Sequence, residues 1–230
     1  MSGIASRWPD LRAALARACQ RAGRPAESVT LLAVSKLQPL EAVVEAYAAG
    51  LRDFGENYAQ ELRDKAAALA ERCPGIRWHA IGTLQTNKAR YVARTAHAFH
   101  ALDRIEVAEE LSRRRTGEPL RVYLEVNLGG EESKSGLRPD GVGALLGAVR
   151  TLPGLAVEGL MCLPPLGPDA EASRPYFRDL RQLAGAHRLS GLSMGTTHDF
   201  EVAVEEGATV VRVGTALFGP RPAAPRAPSA

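Results

Sequence analysis

Arg121-Val-Tyr-Leu-Glu-Val-Asn-Leu128 is the stretch on which the fold turns. Val122, Leu124, Val126 and Leu128 form one wholly apolar set, and Tyr123, Glu125 and Asn127 form its complement. Side chains alternate across a strand, so the stretch reads as a β-strand with two unlike faces. Thr209-Val-Val-Arg-Val-Gly214 repeats the pattern. Val211 and Val213 share one face, and Arg212 shares the other with Val210 and Gly214. Over 29–36, Lys36 falls on the face of Thr30, Leu32 and Val34. In a closed barrel the outward residues lie under helices and are apolar, so Lys36, Glu125, Asn127 and Arg212 are expected to point inside.

Outward from these strands the chain alternates. Strand candidates lie at 29–35, 53–55, 77–81, 98–102, 121–128, 156–163, 191–194 and 209–213. Helix candidates lie near 40–49, 58–72, 87–93, 104–114, 139–151, 170–186 and 199–206. Such alternation predicts a parallel sheet with right-handed crossovers. Eight strand candidates favour an α/β (β/α)8 TIM-type barrel, with an open doubly wound sheet as the alternative.

A further helix is expected over 4–22, with Pro9 in its first turn, Leu11, Leu15 and Ala18 on one face, and Gly23 at its end. No helix is expected after the last strand, so this N-terminal helix would cover that flank. One domain over 1–219 is expected, with a disordered Pro/Ala-rich tail at 220–230.

Composition narrows the function classes. The 230 residues suffice for one sizeable core, and the formal charge of +3 is too small for a nucleic-acid footprint. No apolar run approaches the roughly 18 residues of a membrane span, and Met1–Asp10 does not read as a signal peptide. Cys19, Cys73 and Cys162 support neither a disulfide framework nor a zinc site, which points to the cytoplasm. Of the 29 basic residues only Lys36, Lys65, Lys88 and Lys134 are lysine. Lysine, unlike arginine, can lose its proton and form a Schiff base.

Lys36, Asn127 and Arg212 lie toward the C-terminal ends of their strands, where barrel active sites are built. A buried lysine there is costly unless its pKa falls from about 10.4, and a lowered pKa suits an imine-forming amine. Barrels often hold a phosphate between the loops after the last two strands. Here these read Ser193-Met-Gly-Thr-Thr-His-Asp199 and Gly214-Thr-Ala-Leu-Phe-Gly219, offering hydroxyls at Ser193, Thr196, Thr197 and Thr215. Turn and cap chemistry would use the same residues, with Thr197 or His198 capping the next helix. A reactive lysine, a phosphate cradle and a buried arginine together suggest pyridoxal 5′-phosphate (PLP). Arg212 beside the pyridine nitrogen would disfavour its protonation and mute carbanion chemistry.

The sequence also resembles the pyridoxal phosphate homeostasis proteins, single-domain relatives of the alanine racemase barrel. The resemblance rests on Ala33-Val-Ser-Lys36, Phe54-Gly-Glu-Asn-Tyr58, His79-Ala-Ile-Gly-Thr-Leu-Gln-Thr-Asn-Lys88, Val126-Asn127, Ser133-Lys-Ser-Gly136, Gly159-Leu-Met161, Leu192-Ser-Met-Gly195 and Val211-Arg-Val-Gly-Thr-Ala-Leu-Phe-Gly219. It implies an internal aldimine on Lys36, Arg212 near the pyridine nitrogen, and phosphate contacts from Ser193, Gly195, Gly214 and Thr215. It also implies that Asn57, His79 and Met161 lie near the cofactor. Where the family has Met and Ser after S-M-G, this chain has Thr196 and Thr197. Thr197 keeps the hydroxyl and adds a methyl group.

Other readings stay open beside this one. Asn57 with Gln60, and Asp103 with Glu106, resemble helix caps. His79 also reads as a core histidine, Glu125 as part of a buried charge network, and Lys88 as a helix start. Lys134 reads as solvated or as a transient acceptor of the aldehyde, Lys65 as a solvated helix face, and Trp78 and Tyr123 as packing residues.

The resemblance implies a PLP carrier or buffer without established turnover, serving PLP-dependent apoenzymes; without the appended domain that joins racemase subunits, a monomer is expected. An amino-acid racemase-like enzyme is the alternative, but no second domain is visible to carry the racemase's tyrosine base. A Schiff-base aldolase fits the lysine and cradle but not the motifs.

Overall fold

The computed structural model describes residues 3–131 and 134–220. Eight parallel strands close into one barrel, each hydrogen-bonded to the next and β8 to β1. They are β1 Thr30–Val34, β2 Asp53–Glu56, β3 Arg77–Ala80, β4 Ala98–Leu102, β5 Leu120–Glu125, β6 Leu155–Met161, β7 Gly191–Thr196 and β8 Val210–Val213. The alternation of strand and helix therefore produces the expected (β/α)8 barrel, as a single domain. The expected tail lies outside the described residues apart from Pro220, and so does Ser133 of the Ser133–Gly136 motif.

The helices are α1 Ile4–Arg21, α2 Leu40–Ala48, α3 Ala59–Leu69, α4 Ala89–Thr95, α5 Ile105–Arg114, α6 Val142–Val149, α7 Arg174–Ala186, α8 Phe200–Glu205 and α9 Thr215–Phe218. The last corrects the expectation that no helix follows the final strand: α9 is a single turn. It is too short to cover the flank, and α1 does that instead, packing on α8, α9 and α2. Ile4, Leu11, Leu15, Ala18 and Cys19 form its buried stripe. Arg7 donates to the Leu217 carbonyl (2.7 Å), and the Ile4 amide donates to Glu45 (2.7 Å). Pro9 lies in the second turn of α1, not the first. Its missing N–H removes one bond on the solvent side, where water can serve the orphaned carbonyl.

The layer between strands and helices is the apolar core. Phe54, Phe99, Leu102, Leu124, Leu160, Phe177 and Leu180 are all fully buried. Trp78 packs on Phe54 with ring centroids 5.9 Å apart. The barrel closes tightly at β6 and β7, where a side chain on Gly159 would lie 1.8 Å from the Gly191 carbonyl oxygen. Cys19, Cys73 and Cys162 are all buried free thiols. No described helix is long and apolar enough to cross a membrane, and the described residues contain no metal-binding cluster.

Candidate functional site

A cavity of about 320 Å³ opens at the C-terminal ends of the strands. Lys36 enters it from the turn after β1, Glu125 from β5, Met161 from β6 and Arg212 from β8. Asn57, Thr197, Gly214 and Thr215 line it from the loops after β2, β7 and β8. Seven of the ten residues expected at the cofactor thus share one cavity. Its size suits a small ligand, since such pockets run from about 300 Å³ upward.

His79, Ser193 and Gly195 do not line this cavity. His79 faces a second well at the N-terminal end of the barrel, beside Asp53, His97 and Arg121. Its Nε2 meets Asp53 at 3.1 Å, and its Nδ1 meets His100 Nε2 at 2.9 Å. The far nitrogen of His100 meets the Ser193 hydroxyl at 2.8 Å. Tyr123 stacks on His100 at 4.5 Å.

These contacts form a buried polar thread through the barrel. Burial pushes the Asp53 carboxyl up, but hydrogen bonds from His79 and Arg77 outweigh it and hold the group at about 2. Burial drives His100 well below its ordinary range. An ionised carboxylate only accepts, so His79 Nε2 donates to Asp53. The Ser193 hydroxyl is engaged with His100 inside the barrel.

Gly195 has a packing reason. Its φ is +90°, and a side chain there would meet the Ala203 methyl at 2.5 Å and the Phe200 backbone at 3.1 Å. It lets β7 press against α8. The following turn is held by Asp199, which accepts from the Thr196 amide (2.7 Å) and hydroxyl (3.0 Å). Neither Thr197 nor His198 caps α8: its N-cap is Asp199. The other cap readings also fail. Tyr58 is the N-cap of α3 and Arg104 that of α5, neither with a side-chain cap bond. Asn57 instead lines the cavity, and Asp103 pairs with Arg104.

Arg212 is buried on the cavity floor and donates to the Cys162 carbonyl (2.8 Å). Burial raises the Glu125 carboxyl, with Asp103 adding to the rise and Arg212 opposing it, to about 7. Its Oε2 is buried without a hydrogen-bond partner. The folded chain therefore keeps a proton that the unfolded chain loses near 4.5, so this group's contribution to stability falls as pH rises between 4.5 and 7. We expect Glu125→Gln to flatten that decline and to gain on the order of 1–2 kcal/mol at pH 8 relative to pH 5. Thermal melts of both chains across that range check it; parallel pH profiles would count against a buried protonated Glu125.

Asn127 lies past the end of β5, not within a strand. Its amide group donates to the carbonyls of Glu131 (2.9 Å) and Lys134 (3.3 Å) and shapes a loop beside the main cavity. Lys134 pairs with Glu131 and lines an adjoining cavity that shares Asn57 and Glu125 with the first. Lys88 lies at the start of α4, as its helix-start reading expects.

Lys65 corrects the sequence reading outright: it is buried, not solvated. Its ammonium contacts the Ser35 carbonyl (2.7 Å), Glu56 (2.9 Å) and Glu61 (2.7 Å). The Ser35 hydroxyl donates to Glu56 (2.6 Å). Glu56 lies on the outward parity of β2, opposite Asp53, Gly55 and Asn57. An acid under a helix layer requires a cation, and that signal could have pointed to Lys65 on α3. The turn beyond Ser35 is itself strained: Leu37 has φ +61°. A non-glycine residue there costs roughly 1–2 kcal/mol.

The fold and the cavity define a class, a single (β/α)8 barrel of the alanine racemase N-terminal type with a lysine beyond its first strand. The family model "Alanine racemase, N-terminal domain" matches residues 10–222. Within that class, the chain belongs to the pyridoxal phosphate homeostasis protein family, as its motifs lead one to expect. It is 47% identical over 225 residues to the pyridoxal phosphate homeostasis protein of Pseudomonas aeruginosa, covering 96% of this chain and 97% of that one. The solved structure of PipY of Synechococcus elongatus with PLP bound matches with a TM-score of 0.81 at 38% identity. That match covers 94% of this chain and 100% of PipY. Alanine racemase of Corynebacterium glutamicum matches with a TM-score of 0.64 at 18% identity, a likeness of fold alone. The chain spans 62% of that racemase.

Proposed function

We propose that this chain binds pyridoxal 5′-phosphate reversibly, buffers its free level and releases it to PLP-dependent apoenzymes. The observation that carries the reading is the meeting of Lys36, Arg212, Gly214 and Thr215 in one cavity of about 320 Å³. The residues fit the group: an amine for the aldehyde, small and hydroxyl residues for the phosphate, and a buried cation for the ring. The family name of its relatives and the PLP bound to PipY support the same reading.

Bound in this cavity, the cofactor supplies an electrophilic aldehyde for Lys36. The chain's own groups set the rest. Thr197, Gly214 and Thr215 hold the phosphate end, while Asn57 and Met161 form walls. In this reading Gly195 and Ser193, the latter bonded to His100, support the cradle from behind. Arg212 keeps a proton off the ring nitrogen by like-charge repulsion. A ring without that proton is a weak electron sink, which suits holding the cofactor over turning substrate over. No tyrosine lines the cavity among the described residues, so the tyrosine base of a racemase has no counterpart there, which supports the carrier reading.

We place the function in one barrel unit over 1–219, acting as a cytoplasmic monomer. The test is transfer. The loaded chain is mixed with a PLP-dependent apoenzyme, and regained activity is followed beside racemisation of L-alanine. We expect regained activity and no racemisation approaching the ~10 s⁻¹ typical of enzymes. Racemisation at such a rate would establish the enzyme reading instead.

A further inference from the structure

We propose that Lys65, with Glu61 and Glu56, is a positioning device for Lys36: a buried clamp that grips the backbone on both sides of that lysine. The inference rests on the covalent role of Lys36 proposed above. The geometry is specific to the Lys36 turn. Before Lys36, the Ser35 carbonyl accepts from Lys65 (2.7 Å), and the Ser35 hydroxyl donates to Glu56 (2.6 Å). After Lys36, the Leu37 amide donates to Glu61 Oε1 at 2.7 Å. The same Glu61 oxygen lies 2.7 Å from the Lys65 ammonium. One cation and two carboxylates thus hold the peptides flanking a single residue.

Burial alone does not explain this cluster. A charged lysine only 6% exposed is expensive, and a hydrophobic residue of like volume would fill the space under α3. What a hydrophobic residue cannot do is bond Ser35 and anchor the glutamate that bonds Leu37. The turn needs such bonds. The Gln38 amide donates to the Ser35 carbonyl (3.0 Å), closing a four-residue turn with Lys36 and Leu37 at its centre. Its third position has φ +61°, where turns of this kind favour Gly or Asn, yet this chain has a leucine that is 53% exposed. No burial of the Leu37 side chain pins that conformation, so backbone hydrogen bonds must. Strain held at a reactive residue by its surroundings is a recurring sign of preorganisation. With the turn fixed, the Lys36 side chain leaves the backbone toward the cavity floor and Arg212. With the turn relaxed, Leu37 returns to negative φ and the lysine's exit direction changes.

The test uses full-length Lys65→Met and Glu61→Ala chains, with circular dichroism and thermal melts as the control for folding. The first readout needs no cofactor: amide hydrogen exchange at Leu37. Loss of a charge-assisted bond should speed it about ten- to hundredfold in both variants. The second readout is the fraction of Lys36 carrying a pyridoxyl group after exposure to limiting PLP and borohydride, by peptide mapping. It should fall about tenfold in Lys65→Met.

The third readout is rescue. Glycine adopts φ +61° without strain, so Leu37→Gly added to Lys65→Met should restore most of the Lys36 labelling. A general loss of stability would not be repaired by a new glycine. Folded variants with wild-type exchange and wild-type labelling would overturn the clamp, as would labelling lost without any rescue by Leu37→Gly. If Lys65→Met does not fold, Glu61→Ala decides, because Glu56 still neutralises Lys65 there. A wild-type chain that takes no label on Lys36 would refute the covalent reading, while the exchange readout would still judge the clamp.

Discussion

The Lys36→Ala chain will fold and take up no borohydride-fixed pyridoxyl group at the cavity. Lys36 lies in a turn beyond β1, outside the buried apolar core, so its truncation should move the melting temperature by no more than about 2 °C. The proposed phosphate and ring contacts do not involve Lys36, so PLP should still bind, but at least about tenfold more weakly, or ~1.4 kcal/mol. The visible absorbance of the covalent form should vanish while that of free aldehyde remains. Peptide mapping must also examine Lys134, whose adjoining cavity shares Asn57 and Glu125 with the main one. A residual adduct confined to Lys134 fits a second, weaker acceptor. Wild-type absorbance with an adduct on any other residue of the main cavity would remove Lys36 from its proposed role.

The reach of the sequence follows from which periodicities survive folding. Arg212 and Glu125 were legible because strands alternate strictly and their outward neighbours are wholly apolar. Lys36 was legible because the same parity carries one step past Val34. The strand boundaries were less so. Asn127 continues the parity of Tyr123 and Glu125, yet β5 ends at Glu125 and the chain turns to shape a loop. Lys65 was misread for a different reason. In Ala59–Leu69 the helix is rich in alanine, and its pattern alone does not mark the buried stripe. What buries Lys65 is Glu56, an acid from another element lying on the outward face of β2. A four-residue strand is too short to announce its faces. The thread from Asp53 to Ser193 has the same character: His79 was readable as a core histidine, but its contact with Asp53, His100 and Ser193 depends on barrel closure. His79 therefore belongs to the well at the N-terminal end, not to the cavity lining its motif suggests.

Arg212→Glu should change both the chemistry and the pH dependence of the fold. In the wild-type chain the Arg212 guanidinium on the cavity floor opposes the rise of the Glu125 carboxyl. The substitution removes that cation and adds a second carboxyl to the same site. Two carboxyls in one buried site share a proton at neutral pH, and their titration belongs to the pair. Both then sit above their unfolded pKa values, so stability should fall as pH rises from about 5 to 8, more steeply than in the wild type. Breaking the buried charge balance should cost about 3–5 kcal/mol at the upper end of that range. At pH 5–6, where the chain is expected to remain folded, a carboxyl with a proton to give stands where the ring nitrogen is proposed to lie. A carboxylate favours a proton on that nitrogen, which an arginine opposes. The visible spectrum of the loaded variant should therefore shift, and L-alanine should alter that spectrum at least about tenfold faster than in the wild type. Arg212→Gln separates the two effects, since it removes the cation without adding an acid: its spectrum should fall between the others, with a pH profile of stability closer to wild type. A folded Arg212→Glu chain with unchanged spectrum and unchanged reactivity would place Arg212 away from the ring nitrogen, and the muted electron sink would then need another cause.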